Sequence, residues 1–233
     1  MVRRLATLLE LRKALDEQLD ARAAASLEEF IKQSALLQEW LPFLYGCFGT
    51  RCSPLLASFQ AAIVEAAGYT ALGLGSAAMS AQRKSIELLY NWLYFLDQPL
   101  MWNRAVEDGT GFLSRDEIVK FLGKNYPMYT DRWQALEGAR TRTVQQPYGF
   151  LSKHIHSQSV GLLGSGPNLA GLVSEPNIIQ DVNLLQGCVA EFLSDLLAAR
   201  FMGSWPLLPD KVQANLAKRL GKNLADLTEV ART

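Results

Sequence analysis

Apolar residues recur at helical spacing along most of the chain, starting close to its N-terminus. One set with charged residues between its members consists of Leu8, Leu11, Leu15 and Leu19. A second set with similar spacing consists of Leu27, Phe30, Ile31, Leu37 and Leu41. This period predicts an amphipathic helix over residues 5–41, with a candidate bend at residues 23–26 and an end at Pro42. A helix of this length either packs along a bundle or pairs with a partner protein.

The most aromatic segment of the chain, Ser76 to Asp97, predicts a buried central helix. Its aliphatic residues follow the helical period, and Trp92 and Phe95 extend the apolar surface almost all the way round. A helix that is apolar on all sides is typically surrounded by other helices. The segment also holds one charged pair, Arg83 and Glu87, which lie four residues apart and therefore share a face.

Helix starts and stops divide the rest of the chain into further helices. They are predicted near residues 55–72, 114–122, 129–138, 148–157, 177–202 and 210–221. Ser114 and Glu117 have the spacing of a capping box, and Pro147 is suited to the first turn of a helix. No alternation of apolar and polar residues predicts a strand. The sequence therefore predicts an all-α multi-helix bundle in one domain, residues 1–233, with an N-terminal helical arm at 1–41, a bundle core at 54–203 and a C-terminal short helix and tail at 204–233.

Composition and charge narrow the class of protein. Hydrophobic residues make up 49% of the chain and charged residues 20%, as in an ordinary globular protein. The formal net charge of zero argues against a general electrostatic binder of nucleic acid, although RNA binding through a local basic patch stays open. The three cysteines have no CxxC spacing and no neighbouring histidine, and the N-terminus mixes acids and bases throughout. We therefore expect a cytoplasmic protein with no metal and no cofactor.

The stretch from Ser53 to Gln82 raises the question of a membrane span, because Glu65 is its one charged residue. Its many Ala and Gly residues are weakly hydrophobic, and it also contains Gln, Tyr and Thr. No basic flank marks one end of the stretch. These features favour a core helix of a soluble protein over insertion into a membrane.

Two stretches resemble ligand-binding loops but lack a required residue. Asp108 to Glu117 matches the second half of a calcium-binding loop, whose first ligand position would fall on Val106. A glycine turn that leads into a capped helix explains the same residues. Gly164 to Gly171 is rich in glycine like a phosphate-binding loop, but it lacks the Lys-Ser/Thr pair and a preceding strand.

The candidate catalytic set is Arg83, Glu87 and His156. His154 and His156 are two residues apart, so on a helix they point about 200° away from each other and do not easily chelate one ion. Ser152 and His156 are four apart and share a face. Arg83 and Glu87 form a structural ion pair in one interpretation. In the other they meet His156 across the bundle, where Arg83 binds phosphate oxygens and His156 or Glu87 moves a proton.

The aromatic helix with Arg83-x-x-x-Glu87, followed by Tyr148-x-x-Leu151-Ser152-x-x-x-His156-Ser157, resembles proteins of the HEPN superfamily over roughly residues 83–157. The resemblance implies a compact helical bundle of the kind common in prokaryotic defence and toxin–antitoxin systems. Many members are metal-independent endoribonucleases that carry an Arg shortly before the active His on the same helix. In this chain the corresponding positions hold Gly149, Phe150 and Leu151. Other HEPN-like bundles are non-catalytic binding or assembly partners.

Two hypotheses follow. The first is a helical interaction or assembly subunit of a prokaryotic, anti-phage defence system, which binds a protein partner or a second copy of itself through its N-terminal helix. The second is a HEPN-like, metal-independent endoribonuclease that uses Arg83, Glu87 and His156. Neither hypothesis requires a membrane.

Overall fold

The computed structural model describes residues 2–155 and 169–228, and the regular structure in these ranges is entirely helical. The predicted all-α class is confirmed. The α-helices are α1 (Val2–Ala21), α2 (Ala23–Gln33), α3 (Ala35–Phe48), α4 (Ser53–Ala71), α5 (Gly75–Phe95), α6 (Pro99–Asp108), α7 (Arg115–Asn125), α8 (Tyr129–Gly138), α9 (Pro147–Ile155), α10 (Pro176–Phe201), α11 (Asp210–Leu220) and α12 (Leu224–Thr228). A 3₁₀ turn, Leu169–Leu172, precedes α10.

The N-terminal region differs from the prediction of one long helix over residues 5–41. Three helices occupy this region, and they are separated at Arg22 and Ser34. At the first break Arg22 has a φ of −139°, which is outside the helical range. At the second break Ser34 is buried, and its hydroxyl accepts a hydrogen bond from Gln186 Nε2 of α10 at 3.0 Å. This tertiary contact does not show in the local periodicity.

Pro42 does not end a helix, in contrast to the prediction, but lies inside α3. Proline removes one backbone hydrogen bond, to the carbonyl of Gln38 four residues earlier. Both Gln38 and Pro42 are exposed, so water can hydrate that carbonyl. Trp40 and Leu44, on either side of Pro42, are fully buried. We attribute the continuation of α3 to the packing of these two side chains.

Helices α5 and α10 form the centre of the bundle. α4 folds back along α5, while α10 contacts α2, α3, α5, α8 and α9. The side chains of Trp92, Leu93 and Phe95 on α5 are buried almost completely, which confirms the predicted buried central helix. The core also includes Trp40, whose indole nitrogen donates a hydrogen bond to Ser194 Oγ of α10 at 2.8 Å.

The apolar stretch at α10 is long enough to cross a membrane by length and composition, and among the described residues it is the single stretch that meets both criteria. Of its most apolar window, 83% is buried inside the protein. This burial is the pattern of a core helix in a soluble protein. The run from Ser53 to Gln82 that raised the membrane question is divided between α4 and α5 by a turn at Gly73, whose φ is +75°.

Candidate functional site

Arg83 and Glu87 lie on the face of α5 that contacts α9. Their spacing of four residues brings Arg83 Nη2 within 2.8 Å of Glu87 Oε1. Neither side chain is sealed in the core, since Arg83 is 22% and Glu87 41% exposed. The pair predicted from the sequence is therefore formed, at a half-exposed position.

Helix α9 supplies two hydroxyl groups to this pair. It begins at Pro147, as the sequence predicted, and it therefore presents Tyr148 and Ser152 on one face. Arg83 Nη2 donates to the Tyr148 hydroxyl at 3.2 Å, and that hydroxyl donates to Glu87 Oε1 at 3.1 Å. Arg83 Nε donates to Ser152 Oγ, also at 3.2 Å. We call these four residues the Arg83 network; it joins α5 to α9.

A second guanidinium extends this site towards α7. The guanidinium carbon of Arg83 lies 5.3 Å from the centre of the Tyr148 ring, and the guanidinium carbon of Arg115 lies 4.8 Å from it. Both distances are in the range of cation–π contacts. The Arg115 guanidinium is also held by Asp116, with nitrogen–oxygen distances of 2.9 and 3.1 Å.

The start of α7 is fixed by the predicted capping box, which is confirmed. Ser114 Oγ accepts a hydrogen bond from the Glu117 amide at 3.4 Å, and the Glu117 carboxylate accepts from the Ser114 amide at 2.8 Å. Hydrogen bonds from Ser114 hold the pKa of Glu117 below its ordinary value. The capped start of α7 contributes Arg115 to the lining of a cleft of about 270 Å³ between α5, α7 and Tyr148. Glu87 and Asn91 line the α5 side of this cleft.

Of the two histidines, the structure describes His154 but not His156. His154 is buried, and its Nε2 lies 3.2 Å from Ser76 Oγ at the start of α5. Burial lowers the pKa of His154, which favours the neutral ring. His156, the third member of the predicted catalytic set, lies outside the described residues. The structure thus brings Arg83 and Glu87 together with Tyr148 and Ser152, all of which belong to the pattern that carried the resemblance.

The chemistry of the Arg83 network is that of a satisfied ion pair. The carboxylate of Glu87 balances the charge of Arg83, and the Tyr148 hydroxyl accepts from one and donates to the other. A phosphate that bound to Arg83 in the bidentate manner would compete with these partners. The arrangement therefore supports attachment of α9 to α5 more directly than it supports catalysis.

A second and more buried ion network was not predicted from the sequence. Asp195 of α10 is fully buried and accepts hydrogen bonds from Arg142 Nη1 at 2.7 Å and from Arg219 Nη1 and Nη2 at 2.7 and 3.0 Å. Arg142 also pairs with Glu137, and with Glu191 at 3.3 Å. We call these five residues the Arg142 network; it joins α8 and the α8–α9 connection to α10 and α11.

The two central carboxyl groups of the Arg142 network differ in their titration. Burial raises the pKa of Asp195, despite the nearby charges of Arg219 and Arg142. Burial by itself also raises the pKa of Glu191, but hydrogen bonds from Thr141 and the charge of Arg219 outweigh it and hold that pKa below its ordinary value. The spacing of Glu191 and Asp195, four residues apart on an apolar helix, is the sequence feature that could have identified this network.

The predicted alternative to a calcium loop accounts for the contacts around Asp108. Its carboxylate accepts hydrogen bonds from the amide and the hydroxyl of Thr110, at 2.8 and 2.6 Å. Glu117 is engaged in the capping box, so both carboxylates are satisfied within their own turns. In the parts of the chain that the structure describes, no group of three or more His, Cys, Asp or Glu side chains is arranged to hold a metal ion.

Both α1 and α2 carry large apolar side chains that are exposed. On α1 these are Leu8, Leu9 and Leu19, and α2 adds Leu27 and Ile31. We call these five residues the α1–α2 surface. Between residue 8 and the end of α1, Gln18 is the one buried side chain, and its amide donates to the Ala71 carbonyl at 3.2 Å.

Comparisons with known proteins add no relative to this picture. No family model matches the chain, and neither a curated protein nor a solved structure matches it.

Proposed function

We propose that this chain is a helical assembly subunit that binds a protein partner through α1. The observation that carries the proposal is the exposure of apolar residues on this helix, since Leu8 and Leu9 are each 55% exposed and Leu19 is 48% exposed. Helices in proteins gain most of their stability by packing an apolar face against a neighbour rather than from helix propensity. A partner that covers these leucines would supply that packing.

The attachment of α1 to the bundle leaves one flank of the helix uncovered. Its inner side contacts the 3₁₀ turn Leu169–Leu172, and Gln18 anchors it to the end of α4. On α2, Phe30 is buried whereas Leu27 and Ile31 are exposed. Exposed apolar residues therefore occur on both helices, and a partner would have to cover them to form a docking surface.

The Arg83 network supports the same interpretation. Its donors and acceptors satisfy one another, which accounts for the conspicuous charged pair on α5 without a reaction. From the resemblance to non-catalytic HEPN-like bundles we further propose that the assembly belongs to a prokaryotic defence system in the cytoplasm.

The test uses a double substitution in α1, Leu8→Glu with Leu19→Glu, in the full-length tagged chain. Proteins that co-purify with the wild type from its own cells are identified and reconstituted with it from purified components. We expect the complex to form with the wild type and with Val64→Glu, which places the same charge at a 64% exposed position on α4. The double variant should lose the complex while its circular dichroism is unchanged. Assembly that survives both α1 substitutions would overturn the proposal.

One observation favours the alternative, a metal-independent endoribonuclease that uses Arg83, Glu87 and His156. Glu87 and Arg115 both line one cleft, which thus holds a carboxylate and a guanidinium group. This function predicts cleavage of RNA in the presence of EDTA, and loss of cleavage in His156→Ala. Absence of cleavage by the reconstituted complex, with RNAs of mixed sequence, would dismiss it.

A further inference from the structure

Ser76 and His154 bring a hydroxyl and an imidazole together outside both ion networks. Ser76 is exposed at the second position of α5, whereas His154 of α9 is only 8% exposed. Ser76 Oγ and His154 Nε2 lie 3.2 Å apart, and α9 packs directly on α5, so the pair is held between two helices. A hydroxyl at the surface thus has an imidazole behind it, which is the arrangement that activates a serine as a nucleophile.

The imidazole of His154 is suited to act as a base. Burial lowers its pKa and so favours the neutral ring. With the ring proton on Nδ1, Nε2 accepts the proton of the Ser76 hydroxyl; in the other tautomer Nε2 donates, and the contact is a structural hydrogen bond. Within residues 2–155 and 169–228 no carboxylate pairs with the ring, so the pair would be a dyad and slower than a triad.

The start of α5 also offers donors to a negatively charged oxygen. The first amides of a helix have no partner within it, and the helix dipole makes this end positive. Hydrogen bonds occupy the amides of Gly75 and Ala78, but among the described residues none is found for the amides of Ser76 and Ala77. In α/β-hydrolases the amide that follows the nucleophile binds the oxyanion, and the Ala77 amide follows Ser76 in the same way.

We propose that Ser76 and His154 form a nucleophilic dyad that cleaves a carboxylic ester. Ser76 Oγ attacks the carbonyl carbon, and its proton passes to His154 Nε2. The ester oxygen takes that proton and leaves as the alcohol, which produces an acyl-serine. Water then attacks the acyl carbon and gives one proton to His154, which returns it to Ser76 Oγ as the carboxylic acid leaves. This activity does not depend on α1 or on the proposed assembly.

Ser80 provides a matched comparison on the same helix. It is exposed one turn after Ser76, and its hydroxyl donates to the Ser76 carbonyl at 3.0 Å. Within the described residues its hydroxyl has no imidazole partner. A difference in reactivity between the two serines therefore reports on His154 rather than on exposure.

The first experiment treats the full-length chain with a fluorophosphonate and measures the phosphonylated serines by mass spectrometry. Ser76 Oγ should attack phosphorus and displace fluoride while His154 takes its proton, at least about a hundredfold faster than Ser80, the lower end for general base catalysis. In His154→Gln, which replaces the base by a neutral amide, Ser76 should react as slowly as Ser80. Equal rates at the two serines in the wild type would overturn the inference, whether or not this variant folds.

The second experiment follows the release of p-nitrophenol from p-nitrophenyl acetate, an ester with a good leaving group. The wild type and Ser80→Ala should release it at the same rate. Ser76→Ala changes an exposed side chain and should keep the circular dichroism of the wild type, but its rate should fall to that of buffer alone. Release by the wild type that is no faster than release by Ser76→Ala would refute the dyad. Binding through α1 is measured separately, so ester cleavage and assembly can fail independently.

Discussion

The Arg142 network and the Arg83 network both join helices through guanidinium–carboxylate contacts, but they stand at different depths in the bundle. The side chains of Arg142 and Asp195 are completely buried, whereas those of Arg83 and Glu87 keep contact with water. A buried charge is tolerated where several partners satisfy it, because removal from water is unfavourable by several kcal/mol for each ion. A half-exposed pair carries a smaller penalty and contributes a smaller net stabilisation.

The two depths indicate that the fold depends more strongly on the Arg142 network than on the Arg83 network. Each buried group of the Arg142 network depends on the others, so loss of one member leaves an uncompensated charge in the core. In the Arg83 network, water can replace a lost partner. The first network is therefore expected to determine whether α8, α10 and α11 stay together, and the second to adjust how firmly α9 is held.

The largest effect is expected from Arg142→Met, which removes the guanidinium and keeps most of the side-chain length. Asp195, Glu191 and Glu137 would then keep three carboxyl groups beside one remaining Arg219. Breaking a buried ion pair on one side typically destabilises a protein by about 3–5 kcal/mol. Urea unfolding followed by circular dichroism measures the change. A loss below about 1 kcal/mol would show that the Arg142 network is no more important than a surface pair.

A smaller effect is expected from Arg83→Met, the matched substitution in the half-exposed network. It removes one ion pair and two hydrogen bonds to hydroxyl groups, while water can reach the remaining Glu87. The free energy of unfolding should fall by about 1–2 kcal/mol. Binding through α1 should be unchanged, which sedimentation equilibrium can show. A loss as large as that of Arg142→Met would remove the contrast between the two networks.

The two networks also differ in how far the sequence predicts them. Arg83 and Glu87 are four residues apart on one helix, so helical spacing alone predicts their contact. Arg142 and Asp195 are 53 residues apart, and their contact exists because α10 passes the α8–α9 connection. The local sequence likewise predicts the capping box, from Ser114 and Glu117, and the start of α9, from Pro147. It does not predict the break at Ser34 or the continuation of α3 through Pro42, because both depend on tertiary packing.

The next effect concerns the edge of the half-exposed site. Ser114→Ala removes the hydroxyl that caps α7. The first residue of that helix, Arg115, lines the cleft. Loss of such a cap typically destabilises a protein by about 1 kcal/mol. Ser80→Ala is the control, since Ser80 lies exposed inside α5 and its hydroxyl donates to the carbonyl of Ser76 in the preceding turn of the same helix. Thermal and urea unfolding should show the loss for Ser114→Ala and little change for the control.

The smallest effect is a pH dependence within the Arg142 network, measured as the difference in unfolding free energy between the wild type and Glu191→Gln. The pKa of Glu191 is lowered in the folded protein, because hydrogen bonds from Thr141 and the charge of Arg219 outweigh burial. A carboxyl group of this kind stabilises the fold above its unfolded pKa of about 4.3, and the stabilisation is lost as the pH falls through its lower folded pKa. The difference should therefore be constant near neutral pH and narrow below about pH 4.3. The pKa of Asp195 is raised by burial and, less strongly, by the charge of Glu191, so Asp195 titrates in the opposite sense and its coupling to Glu191 offsets part of the narrowing. A difference that widens as the pH falls would contradict the stabilisation of the Glu191 carboxylate by Arg219 and Thr141.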